Sequence, residues 1–351
     1  MPVSLRLKTE VLSSSYCPPE NDAEPQTSDL AAQAALDIAA ERSANLRRGL
    51  MLGMLSAVAY SAANLALRGL SGRDGGFAWA VWVSSVKALP TLILASILLV
   101  RRFCKGQSLY PNRKPILPLI AAGLVMQFGG NLGFQLALGQ IGLAITVPLV
   151  FAFIIFAGAM LGKTFLGDEV SRSTIVSMVI MTFSIILLSY AATLNEPDSA
   201  KAAASGITGI IWFGIVMAVI SGMSYGVNGV VIRSIAQTKL PVESMLIIYS
   251  GTGLVCLGTL GYSLMGAGRI AAIQSDEWQM MLCAGTFNAI AFFSITNALK
   301  VMNISHVNVI NASQNAMCAL GAVLIFAEPP SLPMVIGILL SICGLVVLDR
   351  K

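Results

Sequence analysis

Charge is scarce in this chain: 11% of its 351 residues are Asp, Glu, Lys or Arg, against about 25% in soluble domains. With 56% hydrophobic residues and a mean hydropathy of +0.79, that shortage excludes an ordinary soluble globule. Histidine is reduced to His306 alone. The six cysteines (Cys17, Cys104, Cys256, Cys283, Cys318, Cys343) form no C-x-x-C pair and have no histidine nearby. Such a scatter gives neither a zinc site nor a disulfide framework, and no cofactor or metal is expected.

What is present is long apolar runs. A helix needs about 20 such residues to cross a hydrocarbon core of about 30 Å. Candidate spans fall near 48–70, 77–100, 116–138, 142–162, 174–193, 208–233, 243–265, 278–299, 304–326 and 333–349. The expected fold is therefore all-α, a polytopic integral membrane protein with ten transmembrane helices. The stretch 195–206, NEPDSAKAAASG, is the longest polar break among the spans and divides five from five. The first 46 residues differ: they hold seven of the seventeen carboxylates and Pro18, Pro19 and Pro25. They read as a cytosolic, mostly disordered tail, with no signal-peptide pattern and a short helix from about Ser28 leading into the membrane. The domains expected are thus a tail over 1–46 and helical units over 47–194 and 206–350.

Residues 56–68 (SAVAYSAANLALR) are echoed 165 residues later by SGMSYGVNGVVIR, so Ser56 falls on Ser221, Tyr60 on Tyr225 and Arg68 on Arg233. LGDEVS (166–171) closing the fourth span is echoed by FAEPPS (326–331) closing the ninth. Lys and Arg accumulate in cytoplasmic loops. With the N-terminus inside, fifteen near-membrane basic residues lie on the inner side and Arg68, Arg73, Lys201 and Arg269 on the outer. Both termini should then face the cytoplasm, with the chain in a plasma or inner membrane. An odd number of spans per half makes the second half an upside-down copy of the first. Inverted five-helix repeats are a recurrent transporter plan, with the substrate held between them near the bilayer midplane.

Polar side chains in such spans should face the bundle interior or a wet cavity. At 100° per residue, Gln127, Asn131 and Gln135 share an arc of about 80°, and Asn308, Asn311 and Asn315 one of about 60°. Tyr60 and Asn64 lie on one face of span 1, and Tyr225 and Asn228 on one face of span 6. Aligning ALGQIG (137–142) with ALKVMN (298–303) sets Gln127 opposite Asn288 and Gln135 opposite Thr296. These residues are candidates for a substrate cavity; the alternative is that the amides bond helix to helix. Lys87 is the one cation in mid-span, near Pro90. It either meets an anionic group of the substrate or is placed structurally. All ten carboxylates beyond the tail sit in loops or at helix ends. No obvious buried proton carrier is therefore present, and His306 reads as interfacial.

Gly222, Ser224 and Gly226 satisfy G-x-S-x-G, the nucleophile elbow. That motif needs a strand-to-helix turn, whereas this copy lies in an apolar helix. The glycine pairs Gly49/Gly53, Gly129/Gly133, Gly158/Gly162 and Gly222/Gly226 are spaced i,i+4, as close helix packing requires. Hinges for alternating access are the other reading of them.

Over residues 48 to 349 the chain resembles the EamA-type carriers of the drug/metabolite transporter superfamily. The resemblance rests on the two five-span halves and on Arg68 and Arg233 ending the first span of each. Lys87 in the second span and Glu169 and Glu328 after the small-residue fourth spans complete it. The tail, two extra residues before Glu169, Pro329-Pro330 and Thr252 in the place equivalent to Lys87 depart from the family pattern. The resemblance implies ten helices, cytoplasmic termini and a central cavity. It also implies export of small organic solutes by alternating access. The expected protein is a secondary transporter of a small polar or amphipathic metabolite, not an enzyme, with that solute and the lipid bilayer as partners. No nucleic-acid partner is expected, and a homodimer stays open. The alternatives are an intramembrane hydrolase using Ser224 and a receptor or scaffold that binds without transporting.

Overall fold

The computed structural model describes residues 24–70, 76–110, 114–168, 170–195, 208–236, 238, 240–326 and 330–349. Glu169, Glu328, Pro329, Arg73, Arg113, Lys201, Lys239, the polar break at 196–207 and the first 23 residues lie outside them. The chain divides into two compact units, Met1–Ala44 and Asn45–Lys351. In the first, helix starts at Glu24, four residues before the helix expected from Ser28.

Every described element is helical. The order is α1 (Glu24–Arg68), α2 (Gly76–Val86), α3 (Leu89–Cys104), α4 (Ile116–Leu124), a π segment (Val125–Leu132), α5 (Gly133–Leu166) and α6 (Arg172–Asn195). It continues with α7 (Thr208–Ala236), α8 (Val242–Thr252), a second π segment (Gly253–Leu257), α9 (Gly258–Ala271) and α10 (Ser275–Val301). α11 (Ile304–Ala312), α12 (Gln314–Phe326) and α13 (Leu332–Asp349) complete it. Among the described residues, seven helices are long and apolar enough to cross a membrane, Ser43–Arg68, Gly76–Cys104 and Ile116–Ile141 among them. Arg172–Leu188 and Leu332–Val347 are shorter apolar helices. The span expected at 304–326 is divided at Ser313.

Large apolar side chains cover the outside: Leu117, Phe165, Leu324 and Leu332 are each more than 70% exposed. Contiguous apolar surface of this kind would aggregate in water. Against lipid tails it is the expected outer face, and the chain is a multi-pass membrane protein.

α5 turns back on itself. Along a straight helix at 1.5 Å per residue, Gly129 and Ala157 would lie about 40 Å apart. Yet Gly129 packs on Ser224 and Ala157 on Gly226, two residues further along α7. From Gly214 to Ser224, α7 meets Ile141, then Gly133, then Gly129; from Gly222 to Gly226 it meets Val150, then Ala157. The reversal lies where the sequence places the GQIG connection. No long loop is needed, because consecutive antiparallel helices join through short turns.

Small residues set the contacts. Gly49 packs on Met302 and Gly53 on Ile310, the Cys318 thiol lies 3.9 Å from the Ser61 carbonyl, and Gly321 meets Leu65. α1 and the α11–α12 span therefore run parallel. α6 and α13 run antiparallel, with Ser177 donating to the Gly344 carbonyl and Ser184 to that of Gly337, both at 2.6 Å. All four glycine pairs singled out in the sequence lie against another helix. Without side chains at these points, backbones approach closely and dispersion contacts replace the hydrophobic drive that lipid removes.

Candidate functional site

The site begins with a helix break. Pro90 lacks an N–H and cannot continue the hydrogen-bond ladder, and the chain leaves helical form at Lys87 and Ala88, between α2 and α3. Gly285 of α10 backs onto the break; a Cβ there would sit 2.9 Å from the Lys87 carbonyl oxygen. The Lys87 side chain is 6% exposed.

Its ammonium donates to Asn131 Oδ1 at 2.9 Å. The Tyr225 hydroxyl donates to the same oxygen at 2.8 Å. Asn131 Nδ2 then donates to Gln127 Oε1 at 2.8 Å, and Gln127 Nε2 to the Tyr249 carbonyl at 2.8 Å. That carbonyl also accepts from the Thr252 hydroxyl at 2.9 Å, at the junction where α8 passes into its π segment. The Gly253 amide also donates to this carbonyl, so the two side chains add to its ladder bond. Gly253 has no side chain to keep Gln127 out: a Cβ would fall 2.6 Å from its Cδ. One polar chain thus links the α2–α3 break, the first π segment, α7 and α8.

Beside it lies a cavity of about 130 Å³. Its polar lining is Tyr60, Asn64, Lys87, Asn131, Tyr225, Asn228, Asn288, Asn308, Asn311 and Gln314. The apolar lining includes Met126, Phe134, Val150, Phe151, Ile154, Phe292, Ile295 and Leu299. Among the described residues no carboxylate borders it, and Lys87 is the single charged group. A second chamber of about 10 Å³ lies on the other side of Lys87 and Asn131, bordered by Ser84, Thr91, Gln127, Ser250 and Asn288. The Ser84 and Thr91 hydroxyls are buried there without a partner among the described residues. That space suits about one water.

Nine of the twelve candidate cavity residues border the larger cavity: Tyr60, Asn64, Lys87, Asn131, Tyr225, Asn228, Asn288, Asn308 and Asn311. Gln127 borders only the smaller chamber. Gln135 and Asn315 border neither. A π segment does not keep the 100° step on which the sequence faces were drawn, and Phe134 borders the cavity where Gln135 was expected. The break at Ser313 has a similar effect. Asn315 Nδ2 donates back to the Ala312 carbonyl at 2.9 Å. Gln314, not singled out in the sequence, turns inward and donates to Asn311 Oδ1 at 3.1 Å. The missed apolar wall has no polar signature to find it by.

Ser224 lies inside α7 against Gly129 and lines no cavity. The strand-to-helix turn of a nucleophile elbow is absent there. His306 also stays outside the cavity, near Asp168.

A bundle of apolar helices around a buried cavity with polar lining defines the class: a multi-pass membrane protein with an internal cavity. Residues 212–348 match the EamA-like transporter family, part of the drug/metabolite transporter superfamily. In fold, 28 solved chains match. One of them, described only as a protein, has a TM-score of 0.65 at 16% identity, covering 86% of this chain and 96% of its own. At that identity it shows a shared fold alone. No curated protein matches the sequence.

Proposed function

We propose that this protein is a secondary transporter that exports small polar or amphipathic metabolites by alternating access, using the cavity between two inverted five-helix repeats. The reading rests chiefly on who lines the cavity. Tyr60, Ala63, Asn64 and Leu67 border it from α1; their counterparts in the sequence echo, Tyr225, Asn228, Gly229 and Ile232, border it from α7. A cavity bordered by matching positions of both halves suits a site on a pseudo-two-fold axis, as inverted repeats require. The helix contacts support it. Gly49 meets Met302 while its counterpart Gly214 meets Ile141, and Ser61 meets Cys318 while Gly226 meets Ala157.

With the termini cytoplasmic, two polar contacts lie toward the inner ends of the helices that line the cavity and would form its inner gate. Arg233 donates to the Leu299 carbonyl at 2.7 Å and to Asn303 Oδ1 at 3.5 Å. Asp168 Oδ2 accepts from the Ile304 amide at 3.3 Å. Export would need these to open while the outer end closes. The test is solute release from proteoliposomes with Asn64→Leu, Asn308→Leu and Asn311→Leu, alone and combined. The expected result is a loss of about tenfold or more in transport efficiency for the triple variant. Unchanged kinetics in folded triple variant would sink the cavity assignment, and saturable binding without release would make the protein a receptor.

A further inference from the structure

We propose that the cavity selects amphipathic monoanions, with Lys87 holding the anionic head group. The inference rests on the transport reading of this cavity and adds the charge of its cargo.

An ammonium has three N–H donors. Among the described residues Lys87 uses one, on the neutral Asn131 Oδ1, and that oxygen is shared with Tyr225. A buried cation left with one shared, uncharged acceptor is expensive in free energy. An anion in the cavity would take the remaining donors and offset that cost.

The surroundings fit the same ligand. Tyr60, Asn64 and Asn288 border the cavity and make no hydrogen bond among the described residues. Their O–H and N–H groups are free to donate, and Asn288 borders both chambers beside Lys87. Among the described residues no carboxylate lies there to receive a cationic solute. The rest of the lining, with Phe134, Phe151 and Phe292, offers apolar surface. A carboxylate or sulfonate head on a compact apolar body matches both kinds of lining. The volume is close to that of engineered cavities of about 150 Å³ that take benzene, so a single ring sets the scale.

The experiment compares three ligands with one ring and fixed head groups: benzenesulfonate, benzenesulfonamide and phenyltrimethylammonium. Their binding to the purified full chain in detergent is measured by equilibrium dialysis. The sulfonate should bind about tenfold or more tightly than the other two. Lys87→Met should abolish that preference while changing sulfonamide binding by less than about twofold, and Lys87→Arg should keep it. Should Lys87→Met fail to fold, Asn288→Asp gives the cation an internal partner and should remove the preference as well. Equal binding of the three, preference for the ammonium, no binding of any, or a sulfonate preference surviving in Lys87→Met or Asn288→Asp overturns the proposal. Transport of a neutral solute that still depends on Asn308 and Asn311, with no charge preference, would leave the transporter standing and remove only this inference.

Discussion

Asn131 is the residue on which the site turns. Its carbonyl oxygen accepts from Lys87 and Tyr225 while its amide nitrogen donates to Gln127, so one neutral side chain bridges the cation and, through Gln127, the Tyr249 carbonyl. Asn131→Leu should lower stability in detergent by about 1.5–3 kcal/mol, the range for a hydrogen bond to a charged group, read as a lowered thermal midpoint. Much of that loss is the Lys87 ammonium left without its acceptor. Adding Lys87→Met to Asn131→Leu should therefore recover part of the stability, giving a coupling of about 0.5–3 kcal/mol in a double-mutant cycle. Strict additivity would show that the 2.9 Å contact carries no energetic weight. Lys87 stands out in the sequence because a mid-span cation is rare; its partner does not, because one asparagine among several on polar stripes has nothing to mark it. Gln135 and Asn315 fall outside the cavity for a related reason. A helical wheel assumes 100° per residue throughout, and neither the π segment nor the break at Ser313 keeps that step.

At the scale of elements, hydropathy makes most spans legible, since the length of an apolar run is fixed by bilayer thickness. Their interruptions are less so. The break at Lys87 and Ala88 has Pro90 to announce it, but the π segments and the Ser313 break carry no such punctuation, and the doubling back of α5 needs no loop-forming cluster. Those irregularities aim Asn131, Phe134 and Gln314 into the cavity, so the site was readable as a set of faces and not as a list of contacts. The close α5–α7 packing was readable from small residues at i,i+4, and it carries a sharp prediction. A Cβ on Gly222 would stand 2.5 Å from the Val150 carbonyl oxygen and 2.6 Å from the Phe153 Cβ. Neither is the end of a flexible side chain, so α5 and α7 must move apart. Gly222→Ala should cost about 1–3 kcal/mol as overpacking, seen as a lower thermal midpoint. Gly268→Ala is the control: an added Cβ there meets nothing within 4 Å. If both variants behave alike, the tight helix crossing at Gly222 is not what holds the pair together.

At the scale of the whole molecule, the echo of SAVAYSAANLALR by SGMSYGVNGVVIR separates two architectures that differ in one observable. In a parallel duplication, corresponding loops of the two halves emerge on the same side of the membrane; in an inverted one they emerge on opposite sides. Gln107, following α3, and Ala272, following α9, are counterparts at the 165-residue spacing of the echo, and both are exposed. In the orientation proposed from the surplus of Lys and Arg, the first, beside Arg101, Arg102 and Lys105, faces the cytoplasm. The second, beside Arg269 alone, is then outside. Single cysteines at these positions, in a chain with its six native cysteines replaced, should therefore react differently with a membrane-impermeant maleimide in intact cells. Ala272→Cys should label directly, and Gln107→Cys only after permeabilisation. The opposite pattern would keep the inversion and reverse the orientation, which makes the Arg233 and Asp168 contacts the outer gate. Labelling of both from one side would end the inverted-repeat reading. The matching residues of α1 and α7 around the cavity would then have no symmetry to explain them, and alternating access by rocking of two equivalent halves would lose its basis.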